Sequence, residues 1–309
     1  MCATRTPLSA SEQLDRLRLI RSENVGPVTY RQLMRRFGNA AAALDALPDL
    51  ARRGGAKRTI RLCSPSKAER ELAALTQAGG QLIALGEADY PAPLAALADA
   101  PPILSVLGKP DLLTQRIIAM VGARNGSANG VRFAEKLARD LGAAGLIIAS
   151  GLARGLDAAA HRGALKSGTI AVLAGGVDII YPRENTALYH DIIASGAVIS
   201  EQPWGMQPTA RHFPHRNRIV SGLALGTVVV EATLRSGSLI TARLAGEQGR
   251  EVLAVPGNPL DPRSQGTNGL IRNGATLIQS ADDVLEALAP QLGAPTRRAP
   301  APGLSCRHS

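Results

Sequence analysis

Residues 117–161 constrain the fold of this chain more than any other part of the sequence. The stretch opens with a β-branched apolar run at 117–121, which is followed at once by a glycine-rich turn. Apolar residues then recur at helical spacing over 128–141, and a second apolar run occupies 146–150. Strand, turn, helix and strand make a βαβ unit, which predicts a parallel sheet with a right-handed crossover.

The turn after the first strand predicts a site for an anion. Gly122, Gly126 and Gly130 would let the backbone approach a ligand, and the helix starting near Ala128 points free N–H groups at it. Arg124 lies at the carboxyl end of a strand, where open α/β sheets bind ligands. The spacing matches neither G-x-G-x-x-G nor G-x-x-x-x-G-K-[ST], so the sequence favours a nonstandard anion site over NAD or ATP.

The alternation of apolar runs and helical patterns continues along the chain. Two strands at a sheet edge are predicted at 81–85 and 103–107, and further strands at 169–174, 197–201, 226–230, 252–255 and 276–279. Helices are predicted near 155–166, 185–195, 210–222, 237–248, 266–273 and 281–289. This pattern predicts one doubly wound, mostly parallel α/β domain over residues 81–289.

Residues 1–80 predict a small all-helical domain. The turn at Gly26-Pro27 resembles a helix-hairpin-helix of the SAM-like or DNA-backbone-binding sort, but Val28 stands where a strong signature has a second glycine. Contact with DNA and a purely docking role therefore stay open for this domain. The run at 52–58 is predicted to be an exposed basic loop, and residues 290–309 a Pro-rich disordered tail without a winged helix.

The charge of the chain is unevenly distributed. The net charge is +10, of which residues 1–85 carry +7, residues 86–290 carry zero and the last 19 carry +3. An anion site in the α/β domain must therefore be a local pocket rather than a generally basic surface. The isolated Cys2, Cys63 and Cys306, and the absence of a signal peptide or a long apolar run, predict a cytoplasmic protein that does not enter a membrane.

Further candidate residues follow the later strands. Ser150, Arg154, Asp157 and His161 come after the second strand of the βαβ unit, and the last two could form a site or satisfy local hydrogen bonds. Tyr181 could stack on a base or only form a wall of the crevice. Asn185 could cap a helix, and Ser236 and Ser238 could cap one or bind phosphate.

The segment 211–218 holds three arginines, two histidines and a phenylalanine, and no acidic residue. Guanidinium groups take phosphates with paired hydrogen bonds, and an aromatic face stacks on an unpaired base. Phe213 could instead turn into the core. We find no nucleophile and base in a catalytic order and no metal-ligand spacing, so the sequence favours a binding protein over an enzyme, with no cofactor.

Several long motifs resemble the DNA-processing protein A (DprA, or Smf) family. They are, in chain order, the runs at 122–124, 150–157 with Ala160-His161, 181–182 with 184–185, 213–219, 235–242, 247–250 and 255–257. The resemblance covers residues 85–280, and the helical start is similar to the SAM-like domain of many members.

This resemblance implies an extended Rossmann-like domain that binds single-stranded DNA without a nucleotide cofactor. It also implies a homodimer formed through that domain and the loading of the RecA recombinase onto incoming strands during natural transformation. By motif position, the residues implied to contact DNA are Arg124, Phe213, Arg216, Asn217 and Arg218, with Ser150, Arg154, Arg235 and Ser236 as neighbours.

Two other functions remain open at this point. The fold also resembles the lysine-decarboxylase-like phosphoribohydrolases of nucleoside monophosphates, although residues 226–231 keep only a fragment of their P-G-G-x-G-T-x-x-E run. Release of adenine from AMP would identify that enzyme. The third possibility is an adaptor that docks a recombinase and contacts DNA only incidentally. Such an adaptor would still bind its protein partner after the charge of the crevice is reversed.

Overall fold

The computed structural model describes residues 8–53 and 60–293, and it has the predicted order of helices followed by alternating strands and helices. Most of the predicted basic loop, Cys2 and Cys306 lie outside the described residues, as does the predicted tail from 294 onward. The first residues assigned to that tail instead end a helix, which runs to Leu292 and contains Pro290.

Four helices build the N-terminal part of the described chain. They are α1 (Ala10–Arg21), α2 (Pro27–Phe37), α3 (Ala40–Arg53) and α4 (Pro65–Gln77). Ser9 and Ser64 cap α1 and α4 by accepting backbone N–H groups three residues on. Helix α2 begins at a proline, whose fixed φ suits the first helical position. It is followed by Gly38, whose φ of 80° terminates the helix.

Within the described residues nine strands form one sheet. They are β1 (Gln81–Ala84), β2 (Ile103–Gly108), β3 (Ile117–Val121), β4 (Ile147–Ser150), β5 (Thr169–Val172), β6 (Ala197–Ser200), β7 (Gly226–Val229), β8 (Glu251–Ala254) and β9 (Thr276–Leu277). Their order is β1-β2-β6-β5-β4-β3-β7-β8-β9. Strand β2 is antiparallel to both neighbours, and all other pairs are parallel. Both β1 and β2 were predicted at the edge, but only β1 lies there, because β2 also pairs with β6.

The strand order sets the position of the ligand crevice. Six strands in the order β5-β4-β3-β7-β8-β9 repeat the 3-2-1-4-5-6 arrangement of a Rossmann domain. The chain leaves β3 towards β4 and later returns on the other side of β3 to form β7. The carboxyl ends of β3 and β7 therefore flank the point where the winding direction reverses, which is where such sheets bind ligands.

Helices cover both faces of the sheet. Those after β1 are α5 (Ala92–Ala95), α6 (Ala128–Ala143), α7 (Leu156–Ala164), α8 (Thr186–Ser195), α9 (His212–Leu223), α10 (Gly237–Glu247), α11 (Pro262–Arg272) and α12 (Ala281–Leu292). Helix α11 begins four residues before the predicted start, because Asp261 caps it by accepting the N–H of Arg263.

The two faces of β3 show why the apolar runs predict strands buried on both sides. Ile117, Ala119 and Val121 pack into one apolar cluster. Ile118 and Met120 pack into another on the opposite face. Every residue of β3 is therefore buried, as period-2 alternation between two helical layers requires.

The N-terminal helices share a third apolar cluster with the sheet. Leu17 of α1 and Leu75 of α4 pack in it beside Leu82, Ile103 and Leu107 of β1 and β2. This shared cluster joins the helical part to the α/β part.

A buried polar contact reinforces the same junction. Arg21 pairs with Glu71 at 2.8 Å and donates to the backbone carbonyl of Glu201 at 3.0 Å. Arg21, one of the basic residues of the N-terminal part, therefore helps to hold that part to the sheet. Among the described residues, no helix is long and apolar enough to cross a bilayer.

Candidate functional site

A cleft opens at the carboxyl ends of β3, β4 and β7, where the strand order predicts the ligand site. It consists of two adjoining cavities of about 410 and 510 Å³. Its walls carry five arginines, namely Arg124, Arg154, Arg216, Arg235 and Arg263. The one carboxylate among the lining residues is that of Asp157, which is buried. The cleft is therefore strongly positive on a domain with no net charge.

An arginine and two aromatic rings stand together in this cleft. The guanidinium carbon of Arg124 lies 5.5 Å from the centre of the Phe213 ring, in cation–π geometry. The Tyr181 ring lies 5.5 Å from the Phe213 ring at an interplanar angle of 52°, and Tyr181 is 49% exposed. Phe213 is thus not a core residue, and Tyr181 presents a ring that a planar ligand can reach.

Arg154 and Arg235 extend the positive charge along the cleft. Arg154 pairs with Glu184 at 2.8 Å, and both side chains are more than half exposed. Arg235 is exposed in the turn before α10. In that turn Ser236 accepts the N–H of Ser238, so the predicted cap of α10 is confirmed.

Arg216 is held rigidly in the floor of the cleft. It is 6% exposed, and its Nη1 donates to the carbonyl of Val172 at 2.6 Å, while its Nε has no partner among residues 8–53 and 60–293. Burial lowers the pKa of Arg216 to about 10, and Asp157 opposes that shift. A side chain at Gly151 would overlap the guanidinium, so the glycine is needed for Arg216 to pack there.

Asp157 is hydrogen-bonded within the fold, whereas His161 has one ring nitrogen, Nε2, that is buried without a partner among the described residues. A carboxylate oxygen of Asp157 accepts the N–H groups of Gly151 and Ala153 at 3.1 and 3.3 Å. Burial raises the pKa of Asp157 above its usual range, although Arg216 and the backbone N–H groups oppose that shift. His161 is completely buried, with Nδ1 2.7 Å from the hydroxyl of Thr169.

The predicted anion site at the start of α6 is occupied by the chain itself. Ser127 caps α6 and donates both its N–H and its hydroxyl to the carboxylate of Glu231, at 2.9 and 2.5 Å. A side chain at Gly122 or Gly126 would come too close to Leu156, so both glycines serve internal packing. Gly122 also lines the cleft, whereas the N–H of Ser127 at the helix start is already bound by Glu231.

Seven of the nine residues predicted to contact or neighbour DNA line the cleft together. They are Arg124, Arg154, Phe213, Arg216, Asn217, Arg235 and Ser236.

Two predicted residues do not line it. Ser150 is completely buried and donates to the carbonyl of Met120 at 2.5 Å, because it points into the sheet. Arg218 is buried against Glu201, at 2.5 Å, and Asp99, at 3.4 Å.

Asn185 has a different role from the one considered in the sequence. It occupies the N-cap position of α8, but its side chain makes no capping bond. Its amide instead donates to the carbonyls of Leu152 and Ala153 at 3.0 and 3.3 Å. Asn185 therefore ties the loop after β5 to the loop after β4 and supports the wall of the cleft.

Sequence reasoning missed two contributors to this region. Arg263 lines the cleft from the first turn of α11, and the helix was predicted to begin after it. Asp261-Pro262 is a start signal for a helix and could have revealed this position. Glu231 follows β7 closely, but no local pattern reports its contact with Ser127, which is 104 positions away.

No cluster of potential metal ligands occurs within the described residues.

Comparison with family models matches nearly all of the described chain. Residues 81–289 match the model of DNA recombination-mediator protein A. Residues 10–74 match a DprA-like N-terminal HHH domain.

Named relatives cover the same region. DNA processing protein DprA of Streptococcus pneumoniae is 46% identical over 198 residues, which are 63% of this chain and 70% of that protein. Protein Smf of Escherichia coli is 44% identical over 223 residues, which are 71% of this chain and 60% of that protein.

Two solved structures share the fold. The X-ray structure of DNA processing protein A from Streptococcus pneumoniae matches with a TM-score of 0.74 at 34% identity, covering 91% of this chain and 98% of that one. A structure that concerns the single-stranded DNA binding mode of DNA processing protein A from Helicobacter pylori matches with a TM-score of 0.63 at 30% identity. It covers 68% of this chain and 97% of that one.

Proposed function

Because this chain belongs to the DNA recombination-mediator protein A family, we propose that it binds single-stranded DNA in the cleft at the carboxyl ends of β3, β4 and β7. Binding requires no nucleotide cofactor and leads to no chemical change in the strand. The bound strand is then handed to the RecA recombinase. Relatives named for DNA processing support a role of this kind, and the Helicobacter pylori relative is described with single-stranded DNA.

The observation that carries the proposal is the contact of Arg124 with Phe213 inside a cleft lined by four further arginines. A guanidinium binds a phosphate through charge and paired hydrogen bonds. An aromatic ring beside it stacks on a base, which is worth about 1–3 kcal/mol. Both contacts are available to a strand whose bases are unpaired, whereas a duplex keeps its bases stacked inside. The combination therefore favours single strands.

The test is fluorescence anisotropy with a labelled single strand of about 30 nucleotides and the matching duplex, over a series of salt concentrations. We expect tight binding of the single strand and weak binding of the duplex. Arg124→Ala should weaken single-strand binding and reduce the salt slope by about one, since one phosphate contact is lost. Arg139→Ala on the exposed side of α6 is the matched control, because Arg139 forms an exposed pair with Glu135 and does not line the cleft.

Equal and weak binding of both DNAs, unaffected by Arg124→Ala, would contradict the proposal. DNA binding would then have to be sought in the positively charged N-terminal part.

RecA loading belongs to the same proposal and is supported by family membership. Loading is measured as the rate at which RecA assembles on single strands already coated with a single-strand-binding protein. The wild-type chain should shorten the lag of assembly, and Arg124→Ala should not. A variant that loses DNA binding but still shortens the lag would support the adaptor function instead.

A homodimer through the α/β domain is the last part of the proposal. Within the part of the chain that the structure describes, strand β9 ends the sheet and pairs only with β8, and Leu277 in it is 46% exposed. An unpaired edge strand with an exposed apolar side chain can pair with another chain. Sedimentation velocity of the wild type and of Leu277→Asp tests this, with a shift from dimer to monomer expected for the variant. A wild type that sediments as a monomer would contradict it.

A further inference from the structure

The start of α6 is the place where a Rossmann domain holds the phosphates of a nucleotide. Strand β3 is the first strand of the 3-2-1-4-5-6 arrangement, and α6 follows it directly. In nucleotide-binding members of this fold, the pyrophosphate lies against the free N–H groups of that helix. Those groups carry partial positive charge and attract an anion.

In this chain the anion at that place is the carboxylate of Glu231. Its Oε2 accepts the backbone N–H of Ser127 at 2.9 Å, and its Oε1 accepts the Ser127 hydroxyl at 2.5 Å. The same hydroxyl accepts the N–H of Gly130 at 2.9 Å, so Ser127 links the carboxylate to the first turn of the helix. Both oxygens act as acceptors, which is the arrangement an ionised carboxylate shares with a phosphate group.

The shape of the helix start is fitted to this carboxylate. A side chain at Gly130 would overlap Glu231, so the absence of a Cβ there lets the carboxylate lie against the first turn. Glu231 follows β7, the strand that pairs with β3 at the reversal point. Its side chain therefore reaches α6 from the carboxyl end of the neighbouring strand.

A second internal carboxylate occupies the donors of the neighbouring turn. Asp157 accepts the N–H groups of Gly151 and Ala153, which follow β4. Backbone donors at the ends of both β3 and β4 are thus engaged by carboxylates of the chain itself. The remaining positive groups of the cleft are arginine side chains, which suit the spaced phosphates of a strand better than one compact pyrophosphate.

We propose that Glu231 is a specificity-determining residue that occupies the phosphate position of the Rossmann domain and thereby excludes nucleoside phosphates from the start of α6. The inference deepens the proposed function by naming the residue that keeps nucleotides away from the helix start next to the cleft. Its evidence, the contacts of Glu231 with α6, is independent of whether DNA binds. A residue that only capped α6 would affect stability and nothing else, whereas an excluding residue also sets which small anions bind.

The test is isothermal titration calorimetry with ADP and with inorganic pyrophosphate on the wild type, Glu231→Ala and Glu231→Gln. Removing the carboxylate frees the N–H groups of the helix start, so we expect Glu231→Ala to bind ADP about tenfold more tightly than the wild type. Glu231→Gln keeps the side-chain volume and an oxygen for Ser127 but loses the charge, so a smaller gain of about threefold is expected. Glu247→Ala, which removes an exposed acid of α10, controls for net charge and should show no gain.

Circular dichroism and thermal unfolding establish which variants are folded. If Glu231→Ala does not fold, Glu231→Gln decides the question, because it retains the shape of the side chain. Unchanged ADP affinity in the folded variants would overturn the proposal, as would wild-type protein that already binds ADP as tightly as Glu231→Ala. Single-strand binding is measured on the same samples. Its absence in the wild type would refute the proposed function while leaving the result with ADP interpretable.

Discussion

Arg216 and Arg218 lie two positions apart on α9 and face different surroundings. Arg216 lines the cleft and donates to the carbonyl of Val172. Arg218 is buried between Glu201 and Asp99. Residues two positions apart on a helix are separated by about 200° around its axis. The two arginines of this motif therefore point to different sides of α9 and have different roles.

Arg218→Ala should lower the free energy of unfolding rather than the affinity for DNA. It would leave Glu201 buried without its charged partner, and breaking such a pair costs about 3–5 kcal/mol. Chemical denaturation measures this cost, with Arg243→Ala as the control, because Arg243 and Glu247 are an exposed pair worth less than about 1 kcal/mol. Combining Glu201→Gln with Arg218→Ala should restore part of the lost free energy of unfolding, because the buried carboxylate is removed. A folded Arg218→Ala protein with normal stability and weakened DNA binding would show that Arg218 contacts the strand.

Phe213→Ala should weaken single-strand binding by about 1–3 kcal/mol, since the ring available for stacking is lost. Anisotropy measures the affinity, and thermal unfolding should change little because the ring lies in the cleft wall rather than in the core. Leu260→Ala removes an exposed apolar side chain of the α/β domain that does not line the cleft, and it is the control. A drop in stability that accounts for the lost affinity would instead make Phe213 a packing residue.

Glu184→Gln should strengthen single-strand binding by about 0.2–1 kcal/mol at low salt. In the wild type, Arg154 forms a largely exposed ion pair with Glu184 at 2.8 Å. Such a pair is weak and is screened by salt. Freeing the guanidinium makes it available to a phosphate. The gain should disappear at high salt and also when Arg154→Ala is combined with Glu184→Gln. A gain that persists without Arg154 would show only the effect of removing one negative charge.

Stability should fall as the pH is lowered below about 6.5, and His161 should contribute to that fall. Burial, with the nearby charges of Arg216 and Arg162, lowers the pKa of His161 to about 3. Between about pH 6.5 and 3 the unfolded chain therefore binds a proton that the folded chain does not. Each pH unit in that window favours unfolding by up to about 1.4 kcal/mol.

Denaturant unfolding of His161→Gln at pH 7, 6 and 5 tests this contribution. The variant should be less stable at pH 7 but should lose less stability on acidification. His215→Gln, at an exposed position, is the control. Parallel pH profiles for the wild type and His161→Gln would show that His161 does not cause the dependence.

The sequence predicted the strands because each is a short apolar run with a turn signal beside it. The run at 117–121 gave the bounds of β3 without error, since a strand buried on both faces leaves no polar position inside it. The arginines of the cleft were predicted from two signals. Arg124, Arg154 and Arg235 lie in loops that follow strands, and parallel strands bring their ends together. Phe213 and Arg216 belong to the run at 211–218, which is rich in arginine and has no acidic residue.

Long-range pairing explains what the sequence could not show. The turn after β3 predicts an open anion site because its glycines precede a helix whose first N–H groups have no partner within the helix. Glu231 occupies it from a position 104 residues away, and no local rule reports such a contact. Ser150 and Arg218 were grouped with the site by motif alone. The inward direction of Ser150 depends on the register of β4, and the burial of Arg218 depends on Glu201.

The apolar cluster shared by the N-terminal helices and the sheet limits how this chain can be divided. The two family-model matches meet between residues 74 and 81, and a cut there would look natural in an alignment. It would expose part of the apolar face on which Leu82, Ile103 and Leu107 share a cluster with α1 and α4. The two matched regions therefore pack on one another across the boundary between the matches, and the apolar surface at that boundary belongs to both.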